Sequence, residues 1–199
     1  METKTFSRQS VLALCQSAIF IALATILSFL PVYKMPMGGS VTLASMLPIL
    51  FIGIKFGYKW GIGASFTYSI IQLILALVEG NVFVYTVTFG AVLVCVLFDY
   101  IVPFTALGFS AIVHVKKGEK VNLIKTLITF SLLIFIRFLC HFITGMTIWG
   151  QWDDGFWGAF TYSFLYNGSY LLPELIITIL IAGFLLSSTQ IERMLTKNN

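Results

Sequence analysis

Apolar stretches separated by short polar segments run through the whole chain of 199 residues. A stretch of about 17 to 25 apolar residues can cross the hydrocarbon core of a bilayer as a helix. The pattern therefore predicts an all-α integral membrane protein with six transmembrane helices in one bundle, forming a single membrane domain over residues 1–199. The predicted spans are residues 10–31, 40–56, 59–78, 96–115, 122–146 and 163–187.

The composition agrees with a membrane protein, because 58% of the residues are hydrophobic and only 10% are charged. Soluble domains have about a quarter of their residues charged. The three cysteines, Cys15, Cys95 and Cys140, lie in apolar segments and are best interpreted as buried thiols rather than as a disulfide or a metal site. The net charge of +4 does not indicate nucleic-acid binding, since the basic residues stand at the ends of spans.

The positions of the basic residues predict that both chain termini are cytoplasmic. With this orientation ten of the twelve Lys and Arg residues lie on the cytoplasmic side, as the positive-inside rule requires. Lys34 is the only basic residue on the opposite side, and Arg137 lies within the membrane. The ten are Lys4, Arg8, Lys55, Lys59, Lys116, Lys117, Lys120, Lys125, Arg193 and Lys197.

The fifth span carries an unusual polar stripe. Its members follow one another at steps of four residues, and each step advances only about 40° around a helix. Polar side chains on one face of a membrane helix usually face a cavity or a partner. The members of the stripe are Arg137, His141, Gly145 and Trp149.

Polar residues of two other spans are expected at a similar depth. At about 1.5 Å per residue, Asp99 lies roughly 25 Å, and Arg137 and His141 roughly 18 to 24 Å, from the cytoplasmic lysines. Asn167 lies roughly 30 Å up the sixth span, with Tyr162 above it. An acid, two bases, an amide and aromatic rings near the outer surface suit a small, flat, polar ligand with positive character.

Several of these residues also fit structural roles. Asp99 and Arg137 fit a structural ion pair, and His141 fits a hydrogen-bonded core histidine. Gly145 fits a close helix contact, and Trp149 fits an interfacial aromatic belt. The sequence has no nucleophile motif, no HExxH and no GxxxxGK[ST] loop, so we expect no enzyme activity, no cofactor and no metal.

Four segments resemble a known family, the thiamine-specific S components of energy-coupling factor (ECF) vitamin transporters. They are SAIFIALATILSFLP in the first span, FDYIVPFTALG from Phe98, RFLCHFITGMTIWG from Arg137 and YSFLYNGSYLLPE from Tyr162. The resemblance implies a bacterial plasma-membrane protein that binds thiamine from outside with high affinity. It also implies partners that power transport, namely a coupling membrane protein and two ATPase subunits.

The resemblance also implies roles for individual residues. Asp99 matches an acidic position, usually Glu, that hydrogen-bonds the aminopyrimidine ring, and Tyr100 matches an aromatic wall. Trp149 matches a ring that stacks on the ligand. The complete implied ligand set is Asp99, Tyr100, Arg137, His141, Gly145, Trp149, Tyr162 and Asn167.

Two alanines of the first span match the surface that docks on the coupling protein. Ala18 and Ala22 are four residues apart, which allows a neighbouring helix to approach closely. The first outer loop, residues 32–39, has no clear counterpart of the family's ligand contacts and is left unassigned. Glu174 is interpreted as a capping or pairing residue of the bundle, outside the site.

Two alternatives to thiamine uptake remain open at this point. The first is an S component for another vitamin or for a thiamine precursor. The second is a proton-coupled carrier or membrane enzyme that uses Asp99, Arg137 and His141. Under each interpretation the chain contacts membrane lipid and not nucleic acid.

Overall fold

The structure, a computed structural model, describes residues 8–36, 38–80, 88–116, 118–148 and 155–196. A hairpin of two short antiparallel strands, β1 (Pro31–Lys34) and β2 (Ser40–Thr42), interrupts an otherwise helical chain. The helices are α1 (Arg8–Ser28), α2 (Leu47–Glu79), α3 (Phe89–Val113), α4 (Leu123–Thr147), α5 (Gly155–Leu186) and α6 (Thr189–Thr196). Within the described ranges, α1 to α5 are long and apolar enough to cross a membrane, so the prediction of an all-α, multi-pass membrane fold is confirmed.

The second and third predicted spans belong to one helix with a break. Gly57, at φ 75° and ψ −169°, lies in a backbone region that is open almost only to glycine, and it divides α2 into two arms. The carbonyl group of Ile54 next to the break accepts hydrogen bonds from the backbone N–H of Val115 and from the ring of His114, at 3.1 and 2.7 Å. The break therefore leaves this buried polar group satisfied.

The predicted start of the second span, residue 40, is wrong. Residues 40–42 form β2, and the helix begins at Leu47. The first arm of α2, residues 47–56, is therefore about 15 Å long, half the thickness of the hydrocarbon core. The two strands of the hairpin pair with each other, and the residues of β1 are exposed.

Two other helices begin earlier than predicted. α3 begins at Phe89 rather than at residue 96, and the side chain of Thr88 caps it by accepting the Ala91 N–H at 3.2 Å. α5 begins at Gly155 rather than at residue 163. The apolar composition of the first turns of these two helices did not distinguish them from loop segments. From the sequence, residues 81–95 fit either a re-entrant segment or an extended part of a tilted helix. Residues 89–95 belong to α3, and residues 81–87 lie outside the described residues.

Small residues bring α2 and the end of α3 into close contact. A Cβ atom added to Gly53 would lie 2.1 Å from Ser110 Oγ, and one added to Gly61 would lie 2.7 Å from the carbonyl oxygen of Gly108. Contacts this short leave no room for a side chain. Elsewhere, α1 packs on α2 and α4 packs on α5.

Lys55 lies within the bundle. Its place among the basic residues had suggested an exposed position at the cytoplasmic flank. Its side chain is 1% exposed, and its ammonium group donates to the carbonyl oxygen of Met194 at 2.5 Å. Met194 belongs to the last turn of α6, where backbone carbonyl groups have no partner within the helix. Lys55 therefore fastens α6 to the end of the bundle that lies away from the hairpin.

Replacing Lys55 by Met tests this attachment. The variant loses the donor to the last turn of α6, which we expect to cost about 1 kcal/mol locally. Backbone amides of α6 should then exchange with solvent deuterium roughly fivefold faster, as measured by mass spectrometry. The matched control is Lys59→Met, because Lys59 is exposed; equal exchange rates in the two variants would show that Lys55 does not hold α6.

Candidate functional site

A cavity of about 270 Å³ opens at the end of the bundle that carries the hairpin. Its walls come from the hairpin, α2, α3, α4 and α5. Most of the ligand residues predicted from the sequence line this cavity, whereas Trp149 lies outside the described residues. Those that line it are Asp99, Tyr100, Arg137, His141, Gly145, Tyr162 and Asn167.

The acid of the site is presented by a π-helical turn of α3. This turn, Val96–Ile101, contains Asp99 and Tyr100. Such turns are rare in helices and frequently occur at functional sites. The Asp99 carboxylate accepts from both sides, from Cys95 Sγ at 3.4 Å and from His141 Nδ1 at 2.9 Å. Asp99 is therefore held in place by its own helix and by α4.

His141 stands between the acid and the arginine of the site. Arg137 donates from Nε to His141 Nε2 at 3.2 Å. Since the Nε of arginine can only donate, His141 accepts at Nε2 and donates from Nδ1 to Asp99, which defines a neutral imidazole. The sequence also allowed a direct ion pair between Asp99 and Arg137. Among the described residues, these two side chains do not form one.

The guanidinium group of Arg137 is otherwise surrounded by apolar partners. Its Cζ lies 4.5 Å from the centre of the Phe104 ring, and Nη1 lies 3.0 Å from Met46 Sδ. Cation–π contact with a ring compensates part of the cost of burying the charge. Arg137 thus forms a positively charged part of the cavity wall that rests on α3.

α4 and α5 approach each other closely at Gly145. A Cβ atom at this position would lie 2.2 Å from Ser163 Oγ and 2.9 Å from Asn167 Nδ2. Ser163 Oγ in turn donates to the carbonyl oxygen of Phe142 at 2.7 Å. Gly145 therefore makes the close helix contact that was its alternative interpretation, and it also lies on the cavity wall.

Asn167 cross-links the same two helices. Its amide nitrogen donates to the carbonyl oxygen of His141 at 3.1 Å and to that of Ser163 at 2.9 Å. Its amide oxygen accepts from the hydroxyl group of Tyr170 at 2.9 Å. In this arrangement both amide hydrogens are used inside the protein, and one acceptor position on the oxygen is left for a ligand.

Three tyrosines form a ladder on α5, and the predicted ligand set includes only the first of them, Tyr162. The ring of Tyr166 stacks on that of Tyr162 with centroids 5.5 Å apart, and it meets Tyr170 edge-on at 6.1 Å. The hydroxyl group of Tyr166 donates to the carbonyl oxygen of Gly38 at 2.8 Å, which ties the first outer loop to α5. The four-residue spacing from Tyr162 was a signal that these residues share a face.

Glu174 also lines the cavity, which corrects its exclusion from the site. It is 1% exposed and accepts from the Thr42 hydroxyl group at 2.6 Å and from the Thr42 backbone N–H. A carboxylate two helical turns after Asn167 lies on the same helix face, and this spacing could have placed it in the site. Glu174 holds the end of β2 against α5.

The first outer loop, left unassigned from the sequence, contributes to the rim of the cavity. Lys34 of β1 forms an ion pair with Glu79 at the end of α2, with 3.1 Å between nitrogen and oxygen. Both side chains are about half exposed, as expected at an opening. Other lining residues that the sequence did not indicate are Ser28, Gly38, Gly39, Ser45, Tyr68 and Gln72.

The fold and the cavity together define a multi-pass membrane protein with a cavity lined by polar and aromatic side chains. A family model described as "Thiamine transporter protein" (Thia_YuaJ) matches residues 14–193. The chain belongs to this family of bacterial membrane transport proteins. The resemblance drawn from the sequence is confirmed, and so is the expectation of a transport protein rather than an enzyme.

Individual relatives agree with this assignment. The chain is 30% identical to the thiamine transporter ThiT of Bacillus subtilis over 181 residues, which cover 85% of this chain and 87% of that protein. It is 24% identical to ThiT of Lacticaseibacillus paracasei over 190 residues, 90% of this chain and 89% of that one. The solved structure of ThiT from Listeria monocytogenes has the same fold, with a TM-score of 0.65 at 22% identity, covering 92% and 97% of the two chains.

Substituting Ala for Gly145 tests the contact between α4 and α5. The added methyl group must displace Ser163 or separate the helices, so we expect a loss of about 1–3 kcal/mol in stability. Thermal unfolding of the purified protein in detergent measures the effect. Gly168→Ala is the matched control, because nothing lies within 4 Å of a Cβ atom there. Equal melting temperatures for the two variants would contradict the close contact.

Proposed function

We propose that this chain is the high-affinity thiamine-binding subunit of an ATP-driven ECF vitamin uptake transporter. It would capture the vitamin from outside in the cavity at the hairpin end of the bundle, within the outer half of the membrane. The observation that carries the proposal is the convergence of residues from α3, α4 and α5 on one cavity in a chain whose relatives are named thiamine transporters. The volume of about 270 Å³ lies just below the range of roughly 300–1,000 Å³ found for small-molecule pockets.

The cavity walls offer partners for both halves of thiamine. Asp99 supplies a carboxylate for the amino group of the pyrimidine ring, and Tyr162 and Asn167 supply further polar contacts. His141, Arg137 and Gly145 continue the wall on α4, and Tyr100 adds an aromatic face. Trp149 is proposed to stack on the ligand. Asp99 is one methylene group shorter than Glu, so we propose that the pyrimidine lies closer to α3 than a Glu would require, or contacts Asp99 through a water molecule.

Transport requires partners in this proposal, because the chain has no phosphate-binding loop of the P-loop type. The partners would be an ECF coupling membrane protein and two ATPase subunits. Ala18 and Ala22 are proposed to dock on the coupling protein. Both are exposed on α1, which leaves their surface open to a neighbouring helix.

Thiamine binding to the purified chain tests the ligand. We expect quenching of tryptophan fluorescence in the wild type and a loss of about 10- to 100-fold in affinity for Asp99→Asn, because a hydrogen bond to a charged group is lost. Trp149→Ala should also weaken binding. Glu119→Gln is the control, since Glu119 is exposed and does not line the cavity. Tighter binding of the isolated pyrimidine than of thiamine would favour a precursor as the ligand instead.

Substituting Trp for Ala18 tests the docking surface. The large ring should block the approach of the coupling protein, so co-purification and ATP-dependent uptake should fall at least about tenfold while thiamine binding stays unchanged. Leu23→Trp on another face of α1 is the matched control. Normal complex formation by Ala18→Trp would refute this docking surface, and uptake by the chain alone, without ATPases, would favour a proton-coupled carrier.

A further inference from the structure

We propose that Gln72 recognises a free hydroxyl group of the ligand by accepting its hydrogen bond at the amide oxygen. The inference rests on the proposed function and extends it, since it names a residue that determines specificity in the same cavity. The predicted ligand residues that line the cavity belong to α3, α4 and α5. The part of the wall formed by the end of α1, by α2 and by the hairpin has no assigned contact with the ligand.

Gln72 belongs to a stripe of α2 that lines the cavity. The members of the stripe share one face of the helix, because they follow one another at steps of three and four residues. Tyr68 is 1% exposed, whereas Glu79 is about half exposed at the rim. The amide of Gln72 therefore lies between the buried end of the stripe and the opening, roughly 10 Å along the helix from Glu79. The members are Tyr68, Gln72, Leu75, Ala76 and Glu79.

Hydrogen bonds at the end of α1 determine which atom of the Gln72 amide faces Ser28. Ser28 Oγ lies 2.7 Å from the carbonyl oxygen of Thr25, and a carbonyl group can only accept, so Ser28 uses its one proton there. In the contact of 3.2 Å between Ser28 Oγ and the amide, the Gln72 nitrogen must then be the donor. Oε1 of Gln72 is consequently the amide atom that is turned away from Ser28.

This amide oxygen is an acceptor that the described residues leave without a donor. The other two polar members of the stripe have partners, because Glu79 is paired with Lys34 and the hydroxyl group of Tyr68 interacts with Ser45. A half-buried oxygen without a donor costs free energy, and a ligand hydroxyl group that donates to it removes this cost. A hydrocarbon group in the same place cannot, so the contact distinguishes an alcohol from an alkyl group.

Thiamine carries a hydroxyl group that fits this requirement. Its hydroxyethyl arm is attached to the thiazolium ring, away from the pyrimidine amino group that we propose as the partner of Asp99. With the pyrimidine bound on α3 to α5, the arm can lie against the α2 stripe of the same cavity. The Gln72 oxygen would then accept the hydrogen bond of the free alcohol.

The test compares thiamine with its analogue in which an ethyl group replaces the hydroxyethyl arm. The dissociation constants of both ligands are measured by calorimetry, and their ratio gives the preference for the hydroxyl group. One neutral hydrogen bond should give the wild type a preference of about three- to tenfold. Equal binding of the two ligands would refute the role of Gln72 and leave thiamine binding intact. Failure to bind either ligand would instead refute the proposed function, and with it this inference.

Gln72→Met removes the amide and keeps a side chain of similar length, so the preference should fall to about one. The matched control is Gln190→Met, because Gln190 is exposed and does not line the cavity. Its preference should equal that of the wild type. If Gln72→Met weakened both ligands by the same factor, or changed neither, Gln72 would act only through its contact with Ser28 or not at all, and the inference would be wrong.

Ser28→Ala provides an independent check if Gln72→Met does not fold. This variant removes the acceptor that orients the amide and leaves Gln72 itself in place. The preference for the hydroxyl group should therefore fall at least about twofold. A preference equal to that of the wild type would show that the orientation of the amide is not what selects the hydroxyl group, and would overturn the inference.

Discussion

The hydrogen-bonded chain from Asp99 through His141 to Arg137 is the constraint on which the site depends. In a membrane, buried polar groups must find their partners within the protein. Here each group of the chain fixes the next, because the carboxylate orients the imidazole and the imidazole accepts from the guanidinium group. The chain joins α3 to α4, and Asn167 extends this polar connection from the carbonyl group of His141 to α5. Three helices are thereby held in a fixed arrangement around one cavity.

The first outer loop depends on a second set of polar contacts. The end of β2 is bound by Glu174, and the turn of the hairpin is bound by Tyr166 through the carbonyl group of Gly38. Both partners belong to α5. These contacts hold the hairpin against α5 at the mouth of the cavity.

The same residues contribute both to stability and to the cavity wall. Gly145 allows α4 and α5 to approach, and it also lines the cavity. Asn167 cross-links the helices and still offers one acceptor position to the cavity. The structural and functional interpretations that the sequence left open at these positions are therefore compatible.

The sequence by itself determined the membrane class, the family and six of the polar residues that line the cavity. Hydrophobic length and four-residue spacing are local properties, so they identified the helices and the stripe of Arg137, His141 and Gly145 without a fold. Only the tertiary structure decided which groups meet. Asp99 accepts from His141, Lys55 holds α6, and Glu174 binds the hairpin, and in each of these contacts the partner lies on another element, distant along the chain. Spacing along one helix carries no information about contacts of this kind.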